Sequence, residues 1–161
     1  MPSSHPAYRM PQAGLPARAG QVAGWLDRNA APLVDLAIRL VMASVFFRSA
    51  LQKLSDWPAT LYLFQYEYEV PLLPPELAAP LTTAAELTMP VLLVLGLGTR
   101  LAAVPLLAMA MVIQFVLGAR NPAFDNPQHV LWMLLLASLI VRGGGSLSLD
   151  RLIARRWGIA P

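Results

Sequence analysis

The sequence predicts an all-α membrane protein, a bundle of four transmembrane helices, from three observations. Hydrophobic residues make up 57% of the 161 residues and charged residues only 13%, whereas a soluble domain is about half apolar and about a quarter charged. The apolar residues fall into four long runs separated by turn-forming or charged segments. Basic and acidic residues are also distributed unequally among the segments that connect these runs, as membrane orientation requires.

The four apolar runs are the predicted transmembrane helices, at residues 33–54, 77–97, 100–119 and 128–142. Because about 20 residues cross the hydrocarbon core, the first three are long enough and the fourth is short. The fourth still carries clear boundary signals. Asn126 suits an N-cap, Pro127 suits the first helical turn, and a glycine run from Gly143 ends the helix. We therefore expect the bundle to occupy residues 31–145.

Two segments flank the bundle, and neither contains a predicted transmembrane helix. Residues 1–30 are expected to form a disordered or interfacial tail, because prolines interrupt residues 1–20 and the apolar core of a signal peptide is missing. Residues 146–161 predict an amphipathic helix on the membrane surface, and an ordinary solvated helix is the alternative. Its apolar face would consist of Leu149, Leu152, Ile153 and Trp157.

The segment between the first two spans is rich in tyrosine, tryptophan and phenylalanine. Such side chains favour the headgroup level of a bilayer, since one end of each is apolar and the other polar. We expect a short interfacial helix at residues 57–66, followed by an extended stretch at residues 71–75.

Charge predicts the orientation. Arginines predominate before the first span and after the last, while Asp56, Glu67, Glu69 and Glu76 outnumber the single lysine in the first connecting segment. The positive-inside rule therefore places both termini in the cytoplasm, which agrees with an even number of spans.

Composition excludes several kinds of site. The chain has no cysteine, so by itself it forms no disulfide, zinc–thiolate site or iron–sulfur cluster. It has two histidines, one of them His5 in the tail, and a bis-histidine haem is not expected. The net charge of +3 does not predict nucleic-acid binding, because the basic residues lie at the ends of apolar runs.

One group of polar residues lies within the half of the bundle that faces away from the cytoplasm. Depth along each helix, at 1.5 Å of rise per residue, places the members near one another: Arg48, Gln52, Lys53, Glu86, Gln114 and His129. Ionised side chains at this depth need a partner or a function. We interpret the group as a pocket for an anion, a quinone headgroup or a proton. The alternative is an Arg48–Glu86 ion pair that only fixes the helix register.

A second polar pair, Asp35 and Arg39, lies towards the cytoplasmic side at the i, i+4 spacing that favours contact. Arg39 and Arg48 should lie on opposite faces of the first span, since each residue rotates by 100°. The favoured interpretation is that Arg39 snorkels to the headgroups, and the alternative is a packing clamp or substrate contact.

Methionine offers a weaker site. Met89, His129 and Met133 could bring thioethers and one imidazole together, ligands that suit Cu(I). Methionine more often fills gaps in an apolar core. Metal binding is therefore expected to be absent or weak.

Three motifs resemble those of the DoxX family. They are Arg39-x8-Arg48 continued to Lys53-Leu, the segment from Glu86-Leu to Leu-Gly-Leu-Gly-Thr-Arg100, and Gly143-Gly-Gly-Ser-Leu-Ser-Leu-Asp150. The resemblance covers residues 33–153. It implies a small four-helix protein of the bacterial inner membrane, with some relatives tied to redox complexes and quinone-linked sulfur oxidation.

Three functions remain open from the sequence. The first is the membrane component of a redox system, not catalytic alone or else a subunit of a quinone-linked oxidoreductase, with quinone as the candidate cofactor. The second is a binding or transport module for a small molecule or for metal stress. The third is a scaffold that anchors a soluble enzyme. The expected partners are the lipid bilayer and a soluble or membrane-bound redox protein, and a homo-oligomer is compatible with all three.

Overall fold

The computed structural model describes residues 15–68, 70 and 73–158, and every regular element in these ranges is helical. The predicted tail therefore lies outside the described residues up to position 14, as does part of the predicted extended stretch, at positions 71 and 72. The α-helices are α1 Leu15–Asn29, α2 Ala31–Ser55, α3 Trp57–Leu63, α4 Pro75–Leu95, α5 Thr99–Met111, α6 Gly118–Arg120, α7 Pro127–Arg142 and α8 Leu149–Arg156. These boundaries confirm the all-α prediction.

Residues 15–29 form helix α1, whereas the sequence predicts a disordered or interfacial tail over residues 1–30. Pro16 is compatible with this start, since proline is tolerated in the first helical turn. A single turn residue, Ala30, separates α1 from α2, and its amide still donates to the carbonyl of Leu26 at 2.8 Å. The first apolar helix is thus continued on its N-terminal side by helix rather than by an irregular tail.

Three helical segments are long and apolar enough to cross a membrane by length and composition: Arg18–Ser55, Pro75–Leu95 and Thr99–Arg120. The last consists of α5, a π-helical stretch at Val112–Leu117, and α6. The fourth predicted span is α7, an apolar helix of 16 residues. Many of the most exposed side chains are apolar, including Leu101 at 79% and Val141 at 75%, as a lipid-facing exterior requires.

The long helices form a closed ring in which α2 packs on α4, α4 on α5, α5 on α7, and α7 on α2. One apolar core fills the centre. Its buried members are Met42, Ala43, Phe46, Leu93, Ala102, Ala103, Leu106, Ala110, Leu136 and Leu139. Alanines on α5 let the helix backbones approach closely, which is how helices associate when lipid removes the hydrophobic drive.

The buried residues of α2 follow helical spacing: Asp35, Arg39, Met42, Ala43, Phe46 and Ala50. Arg39 is fully buried within this stripe, whereas Arg48 is exposed. The prediction that the two arginines lie on opposite faces is therefore confirmed.

The two ends of the bundle differ in their connections. At one end, the Gly96–Gly98 turn joins α4 to α5 and the segment Gly143–Ser148 joins α7 to α8; we call this the glycine end. The other end carries α3, a π-helical segment at Phe64–Tyr68, and the loop Asn121–Asn126 before α7; we call it the aromatic end. Both π-helical segments of the described chain therefore lie at or beside the aromatic end.

Candidate functional site

The aromatic end contains a buried ion pair between α2 and α4. Lys53 Nζ lies 2.6 Å from each carboxylate oxygen of Glu86. The Glu86 side chain is only 5% exposed, and that of Lys53 is 17% exposed. Each charge thus neutralises the other inside the protein, as a buried charge requires.

Residues of the first connecting segment cover Lys53. Its ammonium lies 5.7 Å from the centre of the Phe64 ring, within the range of a cation–π contact. The Thr60 hydroxyl donates to the Lys53 carbonyl at 2.9 Å, which ties α3 to the end of α2. The pair therefore lies under the aromatic segment rather than open to lipid.

The alternative interpretation paired Glu86 with Arg48, and this pairing is wrong. Arg48 is exposed, and Lys53 makes the hydrogen bonds to Glu86. The two cations are five positions apart in the sequence, which rotates them about 140° apart on the helix. Gln52 was also predicted in the pocket, and it too is exposed.

The other two predicted pocket residues form a second hydrogen-bonded group. Gln114 donates to Asp125 Oδ1 at 2.6 Å, and its carbonyl oxygen lies 3.2 Å from His129 Nδ1. The same imidazole nitrogen lies 3.1 Å from the Phe124 carbonyl. Because Nδ1 faces two acceptors, the geometry favours the tautomer with hydrogen on Nδ1. Gln114 sits in the π-helical stretch, and π-helices are rare and frequent at functional sites.

Tyr68 lies between these two groups. Its ring packs edge-on against Phe64 at 5.0 Å and against Phe124 at 5.7 Å. Burial, then the carboxylates of Glu86 and Glu67, raise the pKa of Tyr68 above its usual value. The tyrosine is therefore a neutral hydroxyl close to the Glu86 carboxylate.

The methionines of the weak metal candidate have a packing role. Met89 and Met133 are partly buried against the apolar core, and His129 packs edge-on against Trp132 at 5.0 Å. Within the described ranges, no group of three or more histidine, aspartate or glutamate side chains could hold a metal ion.

The glycine end has a different polar centre. Arg39 donates from Nη1 to the Leu93 carbonyl at 3.3 Å and from Nη2 to the Leu147 carbonyl at 2.6 Å. These carbonyls belong to the last turn of α4 and to the segment before α8. The favoured prediction that Arg39 snorkels is therefore wrong, and the alternative of a packing clamp is the arrangement found.

Asp35 does not pair with Arg39 as expected from their spacing. Its carboxylate instead pairs with Arg142, with 3.1 Å between Oδ1 and Nε and 3.3 Å between Oδ2 and Nη2. Because the Arg39 side chain extends to α4, the Asp35 carboxylate pairs with Arg142 at the end of α7 instead. The ion pair therefore joins the first and last apolar helices of the bundle.

Asp150 closes the same end by capping α5. Its two carboxylate oxygens accept from the amides of Gly98 at 2.8 Å and Thr99 at 3.2 Å, and its own amide donates to the Gly96 carbonyl. A carboxylate at a helix N-terminus satisfies amides that lack helical partners and complements the helix dipole.

Sequence reasoning missed the roles of Lys53 as the partner of Glu86, of Asp125 and of Tyr68. One signal could have identified Lys53. It continues the stripe of Met42, Phe46 and Ala50 at intervals of three and four residues, and Arg48 falls outside that stripe. No comparable pattern marks Asp125, because its contact depends on how a loop folds back onto a π-helical turn.

Comparison with protein families gives one result. The family model described as DoxX matches residues 34–119, from the start of α2 to the end of the third apolar helical segment. No curated protein and no solved structure matches the chain. The matched range contains Arg39, Lys53, Glu86 and Gln114, whereas His129 and Asp150 lie beyond it.

Proposed function

The chain belongs to the DoxX family and is a multi-pass membrane protein, and on this basis we propose that it is the membrane component of a redox system. In this proposal the aromatic end binds the headgroup of a quinone. The observation that carries the proposal is the Lys53–Glu86 ion pair, buried beneath aromatic side chains.

The surroundings of the pair support binding of a polar headgroup with an apolar tail. Glu86 can accept a proton from a headgroup hydroxyl, and the Lys53 ammonium can donate to a headgroup oxygen. Tyr68 and His129 add further polar groups at the same end. The exposed apolar surface of the helices is suited to an isoprenoid tail.

A ligand would reach the ion pair from the side on which Lys53 lies. Lys53 retains some exposure, whereas Glu86 is almost completely covered. A ligand oxygen that draws the ammonium away would release the carboxylate for proton exchange. Because any electrons would pass to or from another protein, the proposal includes a soluble or membrane-bound redox partner.

We also propose four spans, with α7 as the fourth, and the glycine end at the cytoplasmic face of a bacterial inner membrane. Arg100, Arg142 and Arg151 cluster at the glycine end, and acidic Asp56 and Glu67 belong to the aromatic end. The positive-inside rule supports this orientation. Cysteine at Glu67 should then react with an impermeant reagent in intact cells and cysteine at Ala160 should not; the reverse pattern would contradict it.

Quinone binding can be tested through the single lysine of the chain. The full chain, purified in mild detergent, is treated with an amine-reactive reagent with and without a short-chain benzoquinone, and modification of Lys53 is followed by peptide mass spectrometry. Bound quinone should slow Lys53 modification. Glu86→Gln should weaken this protection about tenfold or more, since a charge-assisted hydrogen bond contributes about 1.5–3 kcal/mol.

Arg48→Gln is the matched control, because it removes a cation from the same helix that does not contact Glu86. It should leave protection unchanged. Equal loss in both variants would indicate a general charge effect. Lack of protection in the wild-type protein would exclude quinone binding at Lys53 and leave the scaffold function, with the ion pair acting only to fix the helices.

A further inference from the structure

A cavity lies at the glycine end, at the opposite end of the bundle from the Lys53–Glu86 pair. It is open and has a volume of about 410 Å³. Three arginines line it, Arg100 at the start of α5, Arg142 at the end of α7 and Arg151 in α8. The glycine segment and Leu101 also line it, so the three cations lie in a wall that is otherwise largely apolar.

The acidic side chains nearby leave this cationic character in place. Asp150 directs both carboxylate oxygens to backbone amides. Asp35 occupies one edge of the Arg142 guanidinium, through Nε and Nη2. Within the part of the chain that the structure describes, Arg100 and Arg151 have no carboxylate partner. The cavity therefore has capacity for an anion.

Apolar surface begins immediately beside these arginines. Leu101 follows Arg100, Val141 precedes Arg142, and both are among the most exposed apolar residues of the described chain. On the other side, Leu152 of α8 is 62% exposed. The cations thus lie along the edge of the lipid-facing surface, where the headgroups of a bilayer meet its acyl chains.

We propose that this cavity is a binding site for an anionic phospholipid. The phosphate would contact Arg100 and Arg151, with the free edge of Arg142 nearby, and the acyl chains would lie along Leu101 and Val141. Guanidinium groups suit this ligand because they present several donors in one plane to phosphate oxygens. The site is independent of quinone binding at the aromatic end.

The test compares lipids on the full chain purified in a zwitterionic detergent. Phosphatidylglycerol, phosphatidylcholine with the same acyl chains, and inorganic phosphate are each titrated, with melting temperature and native mass spectrometry as readouts. Phosphatidylglycerol should stay bound and raise the melting temperature, and the other two should not. Equal effects of the two lipids would overturn the proposal, and so would an equal effect of inorganic phosphate.

Paired variants locate the site. Arg100→Gln with Arg151→Gln should weaken phosphatidylglycerol binding about 30-fold, since each basic residue near an anionic lipid surface strengthens binding about fivefold. Arg155→Gln with Arg156→Gln removes the same charge from α8 outside the cavity and should have little effect. If the first pair does not fold, each single substitution should weaken binding about fivefold. Equal weakening by the cavity and control substitutions would overturn the assignment.

Discussion

The two ends of the bundle differ in the partners of their central polar side chains, although Asp35 and Arg142 form a side-chain ion pair at the glycine end. At the glycine end, Arg39 and Asp150 bond to backbone carbonyls and amides at the ends of α4 and α5. At the aromatic end, Lys53 pairs with Glu86 and Gln114 with Asp125 through side chains alone. The backbone also differs, because both π-helical segments belong to the aromatic end.

This difference distinguishes polar side chains that satisfy helix ends from polar side chains that can exchange a partner for a ligand. Backbone groups at helix ends must be satisfied wherever water is excluded, so Arg39 and Asp150 complete the fold itself. Side-chain pairs can exchange one partner for a ligand without leaving helix ends unsatisfied. Substitutions of Arg39 and Asp150 should therefore act first on stability, and substitutions of Lys53 and Glu86 should also affect ligand binding.

The largest effect is expected for Gly96→Ala. An added Cβ would overlap Arg39 Nη1 and lie 2.6 Å from Ser148 Cβ, at a residue with φ of +68°. Displacing the buried arginine adds to the backbone strain, because Arg39 Nη1 donates to the carbonyls of both Leu93 and Val94. About 4 kcal/mol or more should be lost, since strain costs about 1–2 kcal/mol and each of the two charged hydrogen bonds about 1.5–3 kcal/mol. We expect little accumulation of folded protein by fluorescence-detected size exclusion.

Gly98→Ala distinguishes the effect of backbone strain from the effect of displacing Arg39. Gly98 has a similar φ of +56°, but its added Cβ would have nothing within 4 Å. It should therefore cost only the strain of about 1–2 kcal/mol. Equal losses in the two variants would show that contact with Arg39 is not what requires glycine at position 96.

The next largest effect concerns the Lys53–Glu86 pair. Lys53→Met leaves Glu86 buried and unpaired and should cost about 3–5 kcal/mol. Glu86→Gln should cost less, because Lys53 is partly exposed and can turn towards the surface. Lys53→Met with Glu86→Leu should recover stability, measured by thermal unfolding in detergent. If the losses of the single variants simply add in the double, the two residues do not act as a pair.

A smaller effect is expected for Asp150→Ala, which removes the cap of α5. Loss of a capping side chain costs about 0.5–2 kcal/mol, and the melting temperature should fall accordingly. Asp27→Ala is the control, since Asp27 is an exposed acid on α1 and should change stability by less than about 0.5 kcal/mol. If Asp150→Ala lowers the melting temperature no more than Asp27→Ala does, the cap does not stabilise the glycine end, and the distinction between the two ends is contradicted.

The smallest effect concerns the pH dependence of the aromatic end. Burial, then Glu86 and Glu67, raise the pKa of Tyr68 in the folded protein, so the unfolded chain ionises first as pH rises. The contribution of Tyr68 to stability is fully present below about pH 10, and it should be lost as the pH rises towards the pKa of Tyr68 in the folded protein. Melting temperature should therefore fall more steeply above pH 10 in the wild type than in Tyr68→Phe. Tyr66→Phe, at an exposed position, should follow the wild type; parallel curves for all three would contradict the prediction.

The segments outside the predicted spans show which helices the local sequence pattern can predict and which it cannot. The aromatic segment does form helix, at Trp57–Leu63, and α8 leaves Leu152, Ile153 and Trp157 exposed beside its arginines. The helix start at Leu15 was missed because prolines near position 16 suggested an irregular tail. Proline in a first helical turn and proline in a tail look alike when only the sequence is read.

The sequence by itself determined the four apolar helices, the opposite faces of Arg39 and Arg48, and the position of Glu86 within an apolar helix, because spacing along one helix sets both face and rise. Only the tertiary structure decided the partners. Glu86 pairs with Lys53 rather than Arg48, and Asp35 with Arg142 rather than Arg39. Helical period does not fix how one helix is rotated against the next, and long cationic side chains reach several positions. Partner choice therefore follows from the packing of α2 against α4 and α7, which no single segment encodes.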